Sequence, residues 1–220
     1  MSSLKEIRNR IGSVQNTQQI TKAMKMVAAA KLRKAQDAIQ KMRPYAAKLH
    51  EITAHVSDSL EESSVYHKYF QQRELNRVLI IPMTADKGLC GAFNNNIQKL
   101  TNRVINERYP QMYKDGKVDL LCMGKKGYEF FKKREFNIVD QYTDFFNKPT
   151  YDKTKDIVDQ VVGWYDAGHY DRIEVIYNWF KNAATYYPTA HQFLPIKSLE
   201  DVEENTRANE ASSDNGGSHT

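Results

Sequence analysis

Apolar residues recur at alternating steps of three and four along the first sixty positions. The series is Leu4, Ile7, Ile11, Val14, Gln18, Thr21, Lys25, Ala28, Leu32, Ala35, Ile39, Met42, Ala46, Leu49, Thr53, Val56 and Leu60, with thirteen of the seventeen apolar. That spacing predicts a coiled-coil helix sustained for about eight heptads, roughly 85 Å long at ~1.5 Å per residue. Ser3 with Glu6 three residues on predicts a capping box at its start. Gly12 and Pro44 interrupt the pattern, and Pro44 is expected either to bend the helix near Lys41 or to be tolerated. A stripe of about two positions in seven needs another helix laid along it. No downstream segment of comparable length supplies one, so the partner is expected to be another chain or a part of the protein outside this sequence.

The stripe fails at Gln18, Thr21 and Lys25, where apolar character moves to Ile20, Met24, Met26 and Val27. A stutter with slack packing accounts for this; so does a segment facing two neighbours, an inner helix and an outer sleeve. Ala28, Ala29 and Ala30 suit close approach of a second backbone.

Beyond residue 76 the pattern changes to short apolar runs alternating with helical spacing. Strands are predicted at 77–83, 117–124, 136–142, 171–180 and 185–196. Helices are predicted at 94–109 with Asn94 as cap, at 125–134, and at 154–168 with Gly168 as the terminating residue. The fold class expected is therefore α/β: a long N-terminal coiled-coil helix, then a Rossmann-like, mostly parallel sheet flanked by helices. The domain reading is a helix over 1–62, a polar connection over 63–76, an α/β domain over 77–197 and an acidic tail over 198–220. That tail has six acids and almost no apolar residues, which predicts disorder.

Charge sharpens the picture of the helix. Residues 1–50 hold eleven Lys and Arg against Glu6 and Asp37, a balance of +9 in a chain whose net charge is +5. The helix is thus expected to meet something negative: nucleic acid, lipid headgroups or an acidic protein surface. No run of about 18 apolar residues and no apolar N-terminal leader occurs, which excludes a membrane-spanning helix and a secretory signal. Two cysteines cannot build a disulfide framework.

Candidate chemistry is sparse. The turn Thr84-Ala85-Asp86-Lys87-Gly88-Leu89-Cys90-Gly91 matches neither G-x-G-x-x-G nor G-x-x-x-x-G-K-[ST], and neither does Gly124-Lys125-Lys126-Gly127. The six histidines form no i, i+4 ligand pair. Cys90 and Cys122 are expected at ends of neighbouring strands as structural thiols. Asp86 and Lys87 are adjacent, and adjacent side chains rarely converge on one substrate atom. No cofactor, metal site or catalytic residue is expected.

Two runs carry a resemblance. Residues 4–36, L-K-E-I-R-N-R-I-G-S-V-Q-N-T-Q-Q-I-T-K-A-M-K-M-V-A-A-A-K-L-R-K-A-Q, followed by Arg43-Pro44-Tyr45, resemble the N-terminal helix of F-type ATP synthase gamma subunits. T-A-D-K-G-L-C-G-A-F-N at 84–94 is similar to the run after that family's first strand, and M-G-K-K-G (123–127) and F-L-P-I (193–196) fall in the same order. The likeness covers roughly residues 2–197.

The resemblance implies a rotor shaft that does no bond chemistry itself. In the family the N-terminal helix winds against a C-terminal helix inside a hexamer of alpha and beta subunits, and the α/β domain touches the epsilon subunit and the membrane c-ring. It implies a hexamer interface at Arg8, Lys22, Met24, Lys25, Val27, Asp86, Lys87, Gly88 and Cys90. It also implies a coiled-coil seam at Ile7, Ile11, Val14, Ala28, Leu32, Ala35 and Ile39. The location implied is peripheral, on the cytoplasmic face of the bacterial inner membrane, without membrane insertion or nucleic acid. The family's second long helix has no counterpart in this sequence, so the chain is expected to be an N-terminal portion unable to drive rotary coupling alone. The competing reading is a nucleic-acid-binding or scaffold protein using the basic helix. Against nucleic acid stands the aromatic content of residues 1–60, which is Tyr45 alone.

Overall fold

The computed structural model describes residues 3–59, 66–147 and 149–196. The predicted disorder of 198–220 falls outside them, as does part of the predicted 63–76 connection. The chain divides into two compact units, one ending at Ser59 and the other starting at Leu60.

The first unit is a single helix, α1 (Leu4–Ser59). It continues through Pro44, where the ring removes one backbone donor without ending the helix. The predicted capping box forms by half. Ser3 Oγ accepts from the Lys5 N–H at 3.3 Å, whereas the Glu6 carboxylate turns outward to Arg10 instead of reaching back to Ser3. No described side chain of α1 is buried, and only Gly12, Gln36, Ile39 and Thr53 are half-buried. Its apolar stripe therefore lies open, with Ile11 at 52% and Val14 at 68% exposure.

The second unit is built on five strands. They are β1 (Val78–Pro82), β2 (Val118–Met123), β3 (Ile138–Tyr142), β4 (Arg172–Phe180) and β5 (Tyr186–Leu194). Their spatial order is β3-β2-β1-β4-β5, parallel except for the antiparallel β4–β5 pair. β1 and β2 are buried at every residue, as parallel strands covered on both faces must be. β3, at an edge, alternates between half-buried and exposed.

Helices α2 (Phe93–Arg108), α3 (Pro110–Lys114) and α4 (Lys125–Lys132) belong to the chain's crossovers between β1, β2 and β3. One apolar layer joins Ile97, Val104, Ile105, Tyr109 and Phe131 to Val78, Ile80, Val118, Leu120 and Ile176. Helix α5 (Tyr151–Asp166) covers the other face through Ile157, Val161 and Tyr165, against Leu79, Ile81, Leu121 and Ile173. Crossing from β3 past β2 and β1 to β4 puts α5 on the opposite face, which makes the sheet doubly wound.

Three local readings need correction. Helix α2 begins at Phe93 with Ala92 as its cap, because the Asn94 side chain is engaged elsewhere. Helix α5 begins three residues before the predicted 154, since Thr150 Oγ1 caps it by accepting from the Lys153 N–H at 3.4 Å. Helix α3 adds an element to those the sequence predicts: Pro110 opens it at a position where a missing N–H costs nothing. Gly168 does terminate α5, at φ +74°, with the His169 N–H donating to the Trp164 carbonyl and the Gly168 N–H to that of Tyr165.

Candidate partner interface

Two sets of residues matter, one in each unit. On α1 the seam residues Ile7, Ile11, Val14, Ala28, Leu32 and Ala35 are exposed and Ile39 is half-buried; Arg8, Lys22, Met24, Lys25 and Val27 are exposed as well. In heptad terms the positions beside the seam carry Arg8, Lys22 and Arg43 on one flank and Arg10 and Lys31 on the other, with no Asp or Glu on either. Two copies of this helix laid together would face like charges along the seam. A helix with acidic flanks would face opposite ones.

The second set follows β1. In doubly wound sheets a ligand crevice opens beyond the carboxyl ends of strands where the order reverses, here between β1 and β4. The chain's own residues occupy it. Asn178 Nδ2 donates to the Phe93 carbonyl at 3.0 Å, and the Phe93 ring meets Tyr186 edge-on at 5.6 Å. Asn94 Oδ1 accepts from the Ala85 N–H at 2.8 Å, and its Nδ2 lies 3.3 Å from the Lys87 carbonyl. This is why Asn94 does not cap α2. The loop above is bare: Lys87, Gly88, Leu89, Cys90, Gly91 and Ala92 are exposed, while Asp86 is half-buried. Leu89 stands at φ +58°, a left-handed conformation uncommon outside glycine.

The cysteines do not lie at neighbouring strand ends. Cys90 is an exposed loop residue, and Cys122 is buried inside β2 because that strand is covered on both faces. Burial pushes the Cys122 thiol up to about 12, so it holds almost no thiolate at neutral pH. A maleimide at pH 7.5 is therefore expected to modify one thiol per native chain, at Cys90, and both after denaturation. Mass spectrometry of the intact and digested protein checks the stoichiometry and the site. Two modified thiols in the native protein would contradict the burial of β2.

Sequence reasoning missed two buried carboxylates. Asp119, fully buried on β2, accepts from Arg77 Nε at 2.9 Å, from the Tyr170 hydroxyl at 2.9 Å and from Asn137 Nδ2. Glu174, 1% exposed on β4, accepts from Arg108 Nη1 at 2.9 Å and from the Tyr109 hydroxyl. Burial, then the neighbouring carboxylate, raises the Tyr109 and Tyr170 phenols. Both acids have each oxygen paired with a protein donor and point to packing, not chemistry. Among the described residues no group of three or more His, Cys, Asp and Glu could hold a metal ion, and no helix is long and apolar enough to cross a membrane.

A doubly wound α/β unit with a filled crevice, in one chain with a long cationic helix, defines a class of arm-bearing α/β proteins. Comparison with known proteins narrows it. A family profile described as ATP synthase matches residues 3–216. The ATP synthase gamma chain of Cytophaga hutchinsonii is 51% identical over 197 residues, covering 90% of this chain and 66% of that one. That of Chloroherpeton thalassium is 45% identical over 196 residues, covering 89% and 64%. That of Chlorobium chlorochromatii is 46% identical over 198 residues, covering 90% and 67%. In a structure of the Tetrahymena thermophila mitochondrial ATP synthase central stalk and c-ring, one chain matches with a TM-score of 0.59 at 26% identity, over 80% of this chain and 72% of that chain. A rotor chain of the Euglena gracilis mitochondrial enzyme shares the fold, with a TM-score of 0.52 at 18% identity, over 97% of this chain and 67% of that one. The chain belongs to the ATP synthase gamma-chain family. It spans about two-thirds of the length of the curated relatives it matches.

Proposed function

We propose that this chain is a non-catalytic central-stalk subunit of an F-type ATP synthase. It couples ion flow through the membrane sector to ATP synthesis or hydrolysis on an alpha–beta hexamer and regulates that ATPase activity. The observation that carries the reading is 43–51% identity to ATP synthase gamma chains along about nine-tenths of this chain. The exposed, cationic, apolar-striped helix supports it. Residues 1–62 form the shaft, and 77–197 form the foot that meets the epsilon subunit and the c-ring. The seam from Ile7 to Ile39 takes an acid-flanked helix. Arg8, Lys22, Met24, Lys25 and Val27 face the hexamer, and Asp86, Lys87, Gly88 and Cys90 make a second contact with it. The protein works peripherally, on the cytoplasmic face of the bacterial inner membrane.

Exposed ion pairs are worth under ~1 kcal/mol each, so the helix charges set approach and register more than tightness. Binding of the full chain to a purified alpha–beta hexamer of a gamma-chain relative tests this. The double variant Lys22→Glu with Lys25→Glu is expected to bind about tenfold more weakly at low salt. Most of that difference should vanish near 1 M salt, where screening reaches ~3 Å. A wild-type chain that ignores the hexamer at every salt concentration but binds duplex DNA would return the reading to nucleic acid.

A further inference from the structure

The Gly124-Lys125-Lys126-Gly127 turn, the buried Thr84 and the bare loop after β1 meet at one place. A helix begins with backbone N–H groups that have no partner inside it. In α4 the first three of these are taken, in reverse order, by three consecutive residues of the loop. The Lys125 N–H donates to Asp86 Oδ1 at 2.9 Å, the Lys126 N–H to the Ala85 carbonyl at 3.2 Å, and the Gly127 N–H to Thr84 Oγ1 at 2.7 Å. Thr84 is 1% exposed; its own N–H donates to the Met123 carbonyl at 2.8 Å, and its hydroxyl lies 3.3 Å from the carbonyls of Met123 and Gly124. The donors that would bind a phosphate are thus spent on the chain itself.

The two glycines permit this approach. A Cβ at Gly127 would lie 2.8 Å from Thr84 Oγ1 and 3.0 Å from its Cγ2, and one at Gly124 would fall 2.0 Å from the Thr84 carbonyl oxygen. At the far end of the loop, Asn94 holds the Ala85 N–H, and the Phe93 N–H donates to the Cys90 carbonyl at 3.3 Å. Between these anchors stand Lys87 to Gly91, exposed, with Leu89 in a left-handed conformation.

We propose that the N-terminus of α4 is a clamp that fixes the loop Asp86–Cys90 in its partner-ready shape, with Thr84 as the positioning residue acting through its hydroxyl. A clamped loop meets its partner already ordered; an unclamped one must be ordered in the encounter, which weakens binding. The clamp stands on the geometry of the free chain. Its consequence for binding rests on the reading of residues 86–90 as a hexamer contact.

Cys90 reports on the loop directly. In the full chain carrying a nitroxide on Cys90, Thr84→Val keeps the side-chain shape and removes the hydroxyl, whereas Thr84→Ser keeps the hydroxyl. Thr84→Val is expected to add a fast component to the spin-label spectrum and to speed hydrogen exchange of the Lys125, Lys126 and Gly127 amides at least tenfold. Exchange in β1 and β4 should not change, and Thr84→Ser should match wild type. Equal label mobility in wild type and Thr84→Val, or identical behaviour of the Val and Ser variants, overturns the clamp. Should Thr84→Val lose protection throughout the sheet, Asp86→Ala takes its place. It removes only the acceptor of the Lys125 N–H, and an unmoved label in that variant likewise overturns the proposal. Hexamer binding is measured separately on unlabelled protein. A mobile loop with undiminished binding leaves the clamp standing and removes residues 86–90 from the interface.

Discussion

Replacing Gly124 with alanine is expected to destabilise the α/β unit by about 2–6 kcal/mol. Two costs add. The backbone sits at φ +97° and ψ 139°, in territory that side-chain-bearing residues occupy only at a cost of about 1–3 kcal/mol. The new Cβ would also fall 2.0 Å from the Thr84 carbonyl oxygen and 2.7 Å from its carbon. Those atoms are main chain and cannot swing aside. Met83 and Thr84 are held by N–H donation to Ile176 and Met123, each at 2.8 Å, so relief means shifting the end of β1. Overpacking of that kind costs a further ~1–3 kcal/mol. Gly127→Ala should cost less, because its nearest neighbours are side-chain atoms of Thr84, at 2.8 and 3.0 Å, and its backbone needs no positive φ. Urea unfolding followed by tryptophan fluorescence measures both. A Gly124→Ala variant within about 1 kcal/mol of wild type would mean that the β1 exit and α4 part freely, contrary to their geometry.

How much of this was legible in the sequence depends on the range of the interaction. The α1 stripe repeats locally, and a repeat of three and four survives the Gln18–Lys25 interruption, so its helix was readable from Leu4 onward. The central strands were equally plain, because V-L-I-I-P and V-D-L-L-C-M leave no polar face. Those same runs concealed Asp119. An acid inside a strand buried on both faces must be paired, yet its donors Arg77, Asn137 and Tyr170 lie 42, 18 and 51 residues away, and only the folded sheet brings them together. Glu174 was hidden in the same way, with Arg108 and Tyr109 more than 60 residues distant. Asn94 shows a competition that local rules decide wrongly. It suits a cap, but the orphan N–H of Ala85 claims its side-chain oxygen, and α2 begins one residue earlier. The meaning of Gly124 and Gly127 was out of reach for the same reason. Their spacing matches no phosphate-binding pattern, and it gains a purpose only when Thr84, some 40 residues upstream, is placed against them.

Asp119→Ala is the second large effect expected, at about 3 kcal/mol. Arg77, Asn137 and Tyr170 stand just before β1, β3 and β4, while Asp119 is the second residue of β2. One carboxylate therefore ties together the starting edges of all four parallel strands. Removing one partner of a buried ion pair commonly costs ~3–5 kcal/mol. The lower figure applies, because the Arg77 side chain is 47% exposed and can return to water. What stays stranded is the buried Tyr170 hydroxyl, worth about 1–3 kcal/mol when unpaired, whereas Asn137 is exposed and its amide can turn to water. Asp119→Asn should recover roughly half, since its single carbonyl oxygen can serve one side of the cluster while its amide faces donors on the other. Denaturant midpoints with unchanged slopes would give these differences; an alanine variant as stable as wild type would mean the carboxylate is not a tie at all. The location of the damage matters as much as its size. Asp119 lies at the amino ends of the strands, and the clamped loop lies at the carboxyl ends. Asp119→Ala should therefore lower the unfolding free energy while leaving a Cys90 spin label as immobile as in wild type wherever the chain is folded. Thr84→Val, which strands one buried N–H, should free the label at a smaller loss of global stability. Order in the loop and stability of the sheet are then separable properties, each controlled from one end of the same four strands.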